Sequence, residues 1–565
     1  MTGFGEKIRK KKPIAMNKDQ ISGQDICKKA IDHHRRGDLE NAEKEYRKAI
    51  EIGIHHYAIF SNLGVICKNS RRADEAVSLF KKAIEINPEH PDAYTNLGNL
   101  YRELCNFAQA LDCTLKSLGL NPVNPDALMN LGSIYKNLGN LDQALASTLS
   151  SLEFKPDNPD ALINLSLIYK ERGELDLALV SILKTLELKP DEPTALSVLG
   201  QIKMVQAKNE EARELLVKSI RLNSKEYEAY FSLSLMLELE NDAEELIELI
   251  KQVKVLNLDF KSRIFIEFAL SNCFHKLKEY DQSAEYLKLA NYHKSIVFPS
   301  NANSLQQEMA GDLLQPVSAS GVRDISADLG KDRIFIVGMP RSGSTLLETV
   351  LSMSSEVKDL GETRSLVKAI RRFKQQKVGD SNFLSLNALY SQLEPMSNDQ
   401  FTFTTDKNLY NFMRLSWIAT HMPAAKIIHC RRDPMDNILS MYRSNLSPGN
   451  GYTTNLEDAA RVLVAQEEVM QIQKSRHPGK IFTFDYDRFV NEPEAAIRVL
   501  LEWIGIDFVE EYLHPDRSVR TVNTASVMQA RRPISNKSVG GWKKYYELLK
   551  PALRIIQEAG IGAEI

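Results

Sequence analysis

Apolar residues recur every three or four positions through most of the first half of the chain, which is the period of amphipathic helices. The same pattern returns at a second, longer period. The segments YAIFSNLGVICKNSRRADEAVSLFKKAIEINPEH (from Tyr57), PDAYTNLGNLYRELCNFAQALDCTLKSLGLNPVN (from Pro91), PDALMNLGSIYKNLGNLDQALASTLSSLEFKPDN (from Pro125) and PDALINLSLIYKERGELDLALVSILKTLELKPDE (from Pro159) align residue for residue at a spacing of 34. Each predicts two antiparallel helices. In the copy from Pro125, Leu128, Leu131, Gly132 and Tyr135 mark the first helix, and Ala144, Thr148 and Ser151 mark the inner face of the second. Gly132 and Ala144 are small enough to let the two helices approach closely. Pro156 cannot continue the second helix, so the chain turns there.

Weaker copies extend the array. One starts near Gly23, with Ala42, Tyr46 and Ala49 on its second helix, and three more start at Pro193, Tyr227 and Lys261, for about eight copies over residues 23–294. In period and marker residues the array resembles tetratricopeptide repeats. The resemblance implies an α solenoid whose groove binds a peptide or partner protein. Asn96, Asn130 and Asn164 share one repeat position, and either groove contacts or repeat consensus accounts for them.

The pattern changes after residue 294. Residues 295–330 lose the 34-residue period and gain Ser, Asn, Gly and Pro, which reads as a linker with a short helix around Leu305–Leu314. From residue 331 to 565, short apolar runs (RIFIVGM, FTFTTD, KIIHC and KIFTFDY) alternate with helical stretches. That alternation predicts an α/β domain with a central parallel sheet, and ligands bind such sheets at the carboxyl ends of the strands.

Candidate chemistry falls at those ends. GMPRSGST, Gly338–Thr345, follows the first strand with nearly the spacing of a P-loop, but Ser344 stands where the P-loop lysine belongs. The helix expected to begin at Ser344 or Thr345 would turn its backbone N–H groups toward an anion, with Arg341 as the cation. A capping box from Thr345 to Glu348 accounts for the same residues equally well. The strand KIIHC ends at Arg431–Arg432, beside Asp433 and Pro434, a helix N-cap and first residue. That is a second anion site, with Ser440 two turns further on. Two separated cationic sites without the lysine suggest two separated acidic groups and disfavour a nucleoside triphosphate on magnesium.

Read together, PRSGST, RRDPMDNILSMYR and SVMQARRPISNKSVGGW resemble the cofactor-binding segments of sulfotransferases, most of all tyrosylprotein sulfotransferases, over roughly residues 331–550. The resemblance implies 3′-phosphoadenylyl sulfate (PAPS) as co-substrate, with no metal. It implies that Arg341, Ser342, Gly343, Ser344 and Thr345 hold the 5′-phosphosulfate and that Arg432 and Ser440 hold the 3′-phosphate. Tyr486 would lie near the nucleotide, Ser526 in the C-terminal loop, and Lys543 or Lys544 on a phosphate. LGETR matches the segment holding the base, so Glu362 takes that role, although this chain has one glutamate where the family has two. Lys407, in TTDKN, takes the place of the family's transition-state lysine, without the family's following Asp-Pro. Arg341 is implied in catalysis as well as binding. His421 and His429 are alternative bases, with core roles more consistent with their positions. The resemblance favours a protein tyrosine as acceptor and the repeats as its recruiter. A glycan or lipid hydroxyl needs the same chemistry, and a tetratricopeptide scaffold with an inactive nucleotide-binding domain is the non-enzymatic alternative.

Composition adds limits. The net charge of −2 argues against a dominant nucleic-acid surface. The six cysteines form no C-x-x-C pair, which fits a reducing compartment. No apolar run has the 18 or so residues of a membrane span. Residues 1–22, with KIRKKK, lack the apolar core of a secretory signal and read as a disordered basic tail. A cytoplasmic setting is the resulting expectation.

Overall fold

The computed structural model describes residues 18–253, 258–314, 328–377, 383–394, 401–518 and 532–562. The chain divides into two compact units, residues 1–172 and 173–565.

The first unit is a series of helices: α1 (Lys18–Arg35), α2 (Leu39–Glu51), α3 (Tyr57–Asn69), α4 (Ala73–Ile86), α5 (Pro91–Glu103), α6 (Phe107–Leu120), α7 (Pro125–Asn137), α8 (Leu141–Phe154) and α9 (Pro159–Glu171). The helices starting at Tyr57, Pro91, Pro125 and Pro159 begin where the repeats begin. Proline suits the first helical position because its missing N–H has no partner there anyway. Asn124 and Asn158 cap the helices that follow them by accepting backbone N–H bonds. A Cβ on Gly132 would lie 2.2 Å from Thr148 Oγ1 and 3.1 Å from the Ala144 carbonyl, so the close approach read from the sequence is real. α1 starts at Lys18, so residues 18–22 are helical where the sequence suggested tail; no proline interrupts the chain there. Asn130 and Asn164 are buried, and Asn164 donates to Thr148 Oγ1 at 2.8 Å. Asn164 thus bonds within the array.

The second unit opens with α10 (Leu175–Leu188), α11 (Pro193–Val205), α12 (Asn209–Leu222), α13 (Tyr227–Ser234), α14 (Glu240–Lys251), α15 (Phe260–Lys276) and α16 (Tyr280–Val297). Next comes α17 (Ala302–Leu314), the short helix expected in the linker. Its residues Ala302, Leu305 and Met309 are buried.

A five-stranded parallel sheet then forms from β1 (Arg333–Gly338), β2 (Val357–Asp359), β3 (Phe403–Asp406), β4 (Lys426–Arg431) and β5 (Ile481–Asp485), in the order β2-β3-β1-β4-β5. Between and after the strands lie α18 (Ser344–Leu351), α19 (Ser365–Gln375), α20 (Leu386–Ser391), α21 (Leu415–His421), α22 (Pro434–Tyr442), α23 (Leu456–Arg476), α24 (Tyr486–Asn491), α25 (Pro493–Ile504) and α26 (Tyr546–Glu558). Alternate residues of β1 enter two cores. Phe335 and Val337 join a cluster with α17, α22, α23 and α26, which also takes in Phe268 and Leu287 of the last repeat helices. Ile334 and Ile336 join Leu347 of α18 and Leu500 of α25 on the opposite face. Both faces of the sheet are therefore covered, as all-parallel sheets require.

Candidate functional site

β1 and β4 are central neighbours, and their carboxyl ends build the site. Gly338 has φ +147°, and a Cβ there would lie 2.5 Å from the Cys430 carbonyl, so only glycine lets the two strand ends meet. The loop then turns through Arg341 (φ +69°) and Gly343 (φ +90°) into α18, which starts at Ser344 with Gly343 as its N-cap. Two departures into the left-handed region within three residues, one by an arginine, mark a loop held by its surroundings. Asn437 of α22 does part of the holding: its amide donates to the Pro340 carbonyl at 2.8 Å.

Two guanidinium groups converge on this loop. Arg341 Nε donates to Ser440 Oγ at 3.1 Å. Arg432 donates to the Arg341 carbonyl at 3.4 Å and to the Ser538 carbonyl at 3.2 Å, and its guanidinium sits 4.8 Å from the centre of the Tyr486 ring. The Tyr486 hydroxyl lies 3.4 Å from Ser538 Oγ. Burial, and then the charge of Arg432, pulls the pKa of Arg341 down to about 10, so it stays charged at neutral pH. Ser342 Oγ and Arg432 Nε are buried and have no hydrogen-bond partner among the described residues. Buried polar atoms normally find partners. Two guanidinium groups, one with an unpartnered Nε, and an unpartnered serine hydroxyl around one loop suit an anionic ligand. Arg341, Ser342, Gly343 and Ser344 lie on this loop, with Arg432, Ser440 and Tyr486 against it. Thr345 is buried in the first turn of α18.

The C-terminal loop approaches the same helix. Asp436 of α22 accepts the N–H groups of Gly540 at 2.6 Å and Trp542 at 2.8 Å. Lys543, next to Trp542, is exposed. Lys544 instead lies over the Tyr280 ring of α16, 5.4 Å from its centre. Ser526 lies outside the described residues.

A second group sits at the end of β3. Lys407 is 1% exposed, and its ammonium donates to Glu362 Oε1 at 2.7 Å. Two backbone bonds, Leu360 N–H to the Thr405 carbonyl and Lys407 N–H to the Gly361 carbonyl, bring the segment after β2 alongside β3 and so pair these residues. Glu348 of α18 is fully buried; its Oε1 accepts from Thr405 Oγ1 at 3.2 Å, and its Oε2 lies 4.0 Å from Lys407. One lysine thus stands between an interior carboxylate and an exposed one. Neighbouring Asp406 is buried, and burial raises its pKa to about 7 despite the bonds it accepts from Tyr390, Asn408 and Asn411.

The structure also bears on the alternatives raised by the sequence. α18 has no side-chain cap, so Glu348 does not close a capping box from Thr345. Glu362 pairs with Lys407. Arg431 pairs with Glu467, and Arg432 stacks on Tyr486. His421 is buried against Trp417 and Phe373. His429 is fully buried beside Gln466, with its pKa lowered by burial to about 3. Both histidines are therefore core residues. Glu348, Asp436 and Asn437 were not singled out from the sequence as site residues. For Asp436 and Asn437, the available signal was their position between Arg432 and Ser440 on one short helix. Among the described residues, no cluster of three His, Cys, Asp or Glu is arranged to hold a metal ion.

Known proteins resemble this chain in both halves. Residues 333–510 match the family model described as the sulfotransferase family, and residues 69–116 and 95–159 match two tetratricopeptide repeat models. The chain therefore carries tetratricopeptide repeats followed by a sulfotransferase-family domain. It is 28% identical over 320 residues to an uncharacterized protein of Aquifex aeolicus, a match covering 53% of this chain and 42% of that one. It is 22% identical over 230 residues to protein-tyrosine sulfotransferase 1 of Danio rerio, covering 37% of this chain and 65% of the fish protein. The crystal structure of a tetratricopeptide repeat protein from Parabacteroides merdae aligns with 45% of this chain and 99% of its own, at 20% identity and a TM-score of 0.37.

Proposed function

We propose that this protein is a PAPS-dependent sulfotransferase that moves a sulfuryl group to an acceptor hydroxyl, with a protein tyrosine as the favoured acceptor and the repeats recruiting acceptor or partner. The observation that carries the proposal is the loop Gly338–Thr345, where Arg341 and Arg432 converge, Ser342 Oγ and the Nε of Arg432 have no partner among the described residues, and no P-loop lysine is present. The matched domain supports the reaction class. The likeness to a protein-tyrosine sulfotransferase supports the acceptor, and the repeats support a proteinaceous one.

The site's shape and charge fit a bisphosphate nucleotide. Gly343 lets the Tyr486 ring pack directly on the loop, since a Cβ there would lie 2.2 Å from it, and among the described residues Ser342 Oγ and Arg432 Nε lack partners that acidic oxygens would provide. Ser342, Ser344, Thr345 and Arg341 would hold one acidic group at the start of α18, and Arg432 and Ser440 the other. Tyr486 supports Arg432, and Lys543 adds charge at the loop. Bound there, the nucleotide supplies an activated sulfuryl group, whose transfer breaks its bond to the bridging phosphate oxygen and forms a bond to the acceptor oxygen.

Such in-line transfers depend on positioning and on cations placed where charge develops. Arg341 and Lys407 are those cations. Glu362, more than half exposed at the site's mouth, takes the acceptor's proton. For that step Lys407 gives up its bond to Glu362 and turns its charge to the departing oxygens, so the pair seen here is the resting arrangement. No helix among the described residues is long and apolar enough to cross a membrane.

Calorimetric titration with adenosine 3′,5′-bisphosphate tests the site. Arg432→Ala is expected to weaken binding about 10- to 100-fold, the value of a lost charge-assisted contact. Equal binding by the variant would sink the assignment. Sulfur-labelled PAPS offered with tyrosine peptides and with glycans tests the acceptor, and turnover on glycans alone would refute the tyrosine reading.

A further inference from the structure

Helix α22 concentrates the anion site. Asn437 holds the phosphate loop, Ser440 holds Arg341, and Asp436 holds the C-terminal loop. Its far end is capped by the last tetratricopeptide repeat. Asn291 of α16 donates to the carbonyl of Tyr442, the final residue of α22, at 2.9 Å. The Lys294 ammonium of α16 donates to the Leu446 carbonyl at 2.8 Å. Arg443, the C-cap of α22, lies 3.1 Å from His275 Nε2 in α15; the other ring nitrogen lies 2.7 Å from the Tyr545 hydroxyl.

These contacts are costly for a repeat to maintain without a purpose. Asn291 is 1% exposed and Lys294 2%. No carboxylate forms an ion pair with Lys294 among the described residues, and burial lowers its pKa to about 7. A lysine buried this way is disfavoured unless it satisfies something that would otherwise be left bare. Here it satisfies the Leu446 carbonyl, four residues past the end of α22, on the side where the helix dipole favours positive charge. The helices are also built for the purpose. The second helices α4, α6, α8, α10 and α12 have 14 residues each, whereas α16 has 18, and Lys294 lies on the added turn.

We infer that the last repeat is part of the nucleotide site: Asn291 and Lys294 are positioning residues that fix α22, and through it Ser440, Arg341 and the phosphate loop. The ligand used in the test rests on the proposed nucleotide reading; the coupling itself does not.

The full chain is compared with Asn291→Leu and Lys294→Met by hydrogen exchange with mass spectrometry and by adenosine 3′,5′-bisphosphate titration. The expected result is faster exchange at residues 434–442 and also at 338–345, which neither substituted residue touches. Bisphosphate affinity should fall roughly 2- to 30-fold, the usual range for coupling through a packed element. Lys294→Arg, which keeps a cationic donor, should restore most of the loss. A drop in melting temperature with unchanged exchange at 338–345 overturns the inference, because a merely structural role predicts that result. If either variant fails to fold, the other decides. If the wild type binds no bisphosphate, the nucleotide reading fails and the exchange pattern still decides the coupling.

Discussion

Gly343→Ala is the sharpest test of how the phosphate loop is built. The residue sits at φ +90°, and its new Cβ would lie 2.2 Å from Cδ2 and 2.9 Å from Cγ of the Tyr486 ring. Holding alanine in left-handed backbone costs about 1–2 kcal/mol. Making room against a packed ring costs a further ~1–3 kcal/mol. The loop escapes both costs by relaxing, and binding must then restore it, so roughly 2–5 kcal/mol should appear in the affinity for adenosine 3′,5′-bisphosphate. The low end corresponds to about a 30-fold rise in Kd. Repeating the substitution in a Tyr486→Ala background separates the two terms. The ring contact disappears there while the backbone strain stays, so the penalty should shrink by about 1–3 kcal/mol. Kd values within about threefold for Gly343→Ala and wild type would refute the reasoning. An equal penalty in both backgrounds would refute its steric part.

Three further outcomes follow from the same geometry. Glu348→Gln removes the interior carboxylate, leaves Lys407 paired with Glu362 alone and keeps the base masked; kcat should fall about tenfold or more, the effect of ~1.4 kcal/mol, with bisphosphate Kd unchanged, and an unchanged kcat would show that Glu348 does not share the lysine. Asp436→Asn loses a charged acceptor for two N–H groups, worth about 1–3 kcal/mol; trypsin should cut faster at Lys537 and Lys543, and an unchanged cleavage rate would contradict the clamp. Burial lowers the pKa of both His275 and His429 from 6.5 to about 3, so the unfolded chain binds these protons first as pH falls. Their contribution is complete above pH 6.5 and is lost progressively toward pH 3, by at most about 2 kcal/mol each at pH 5; circular dichroism of His275→Gln should show weaker acid sensitivity, and an acid midpoint identical to wild type would count against it.

The repeats were readable because each is a local unit. Helix starts at Tyr57, Pro91, Pro125 and Pro159 follow directly from the period and the prolines. The four longer strands were readable as apolar runs, but β2, three residues of VKD, is too short to carry a pattern. At the site, Arg341 and Arg432 announced themselves at strand ends. The partnership of Lys407 with Glu362 came only from resemblance, because the bond joins residues 45 positions apart. Glu348 was hidden by its own neighbourhood, since TLLE matches a helix-capping pattern and nothing local shows that the carboxylate turns inward to Thr405. The bonds from Asn291 and Lys294 to residues some 150 positions later were beyond any local signal.

Those same long-range bonds bear on how the chain folds. Each repeat pairs helices that are adjacent in sequence, so the array can form as it is made. β1 must wait: Arg333 meets its partner at Thr404, and Ile334 meets Lys426. Pairings this distant carry a large loop-closure cost and form late. During that interval α16 is already helical, while Asn291, Lys294 and the apolar residues around them have no cover. A chain made only as far as α16 would therefore carry a sticky helix at the end of its solenoid, and chaperones would be expected to engage it there.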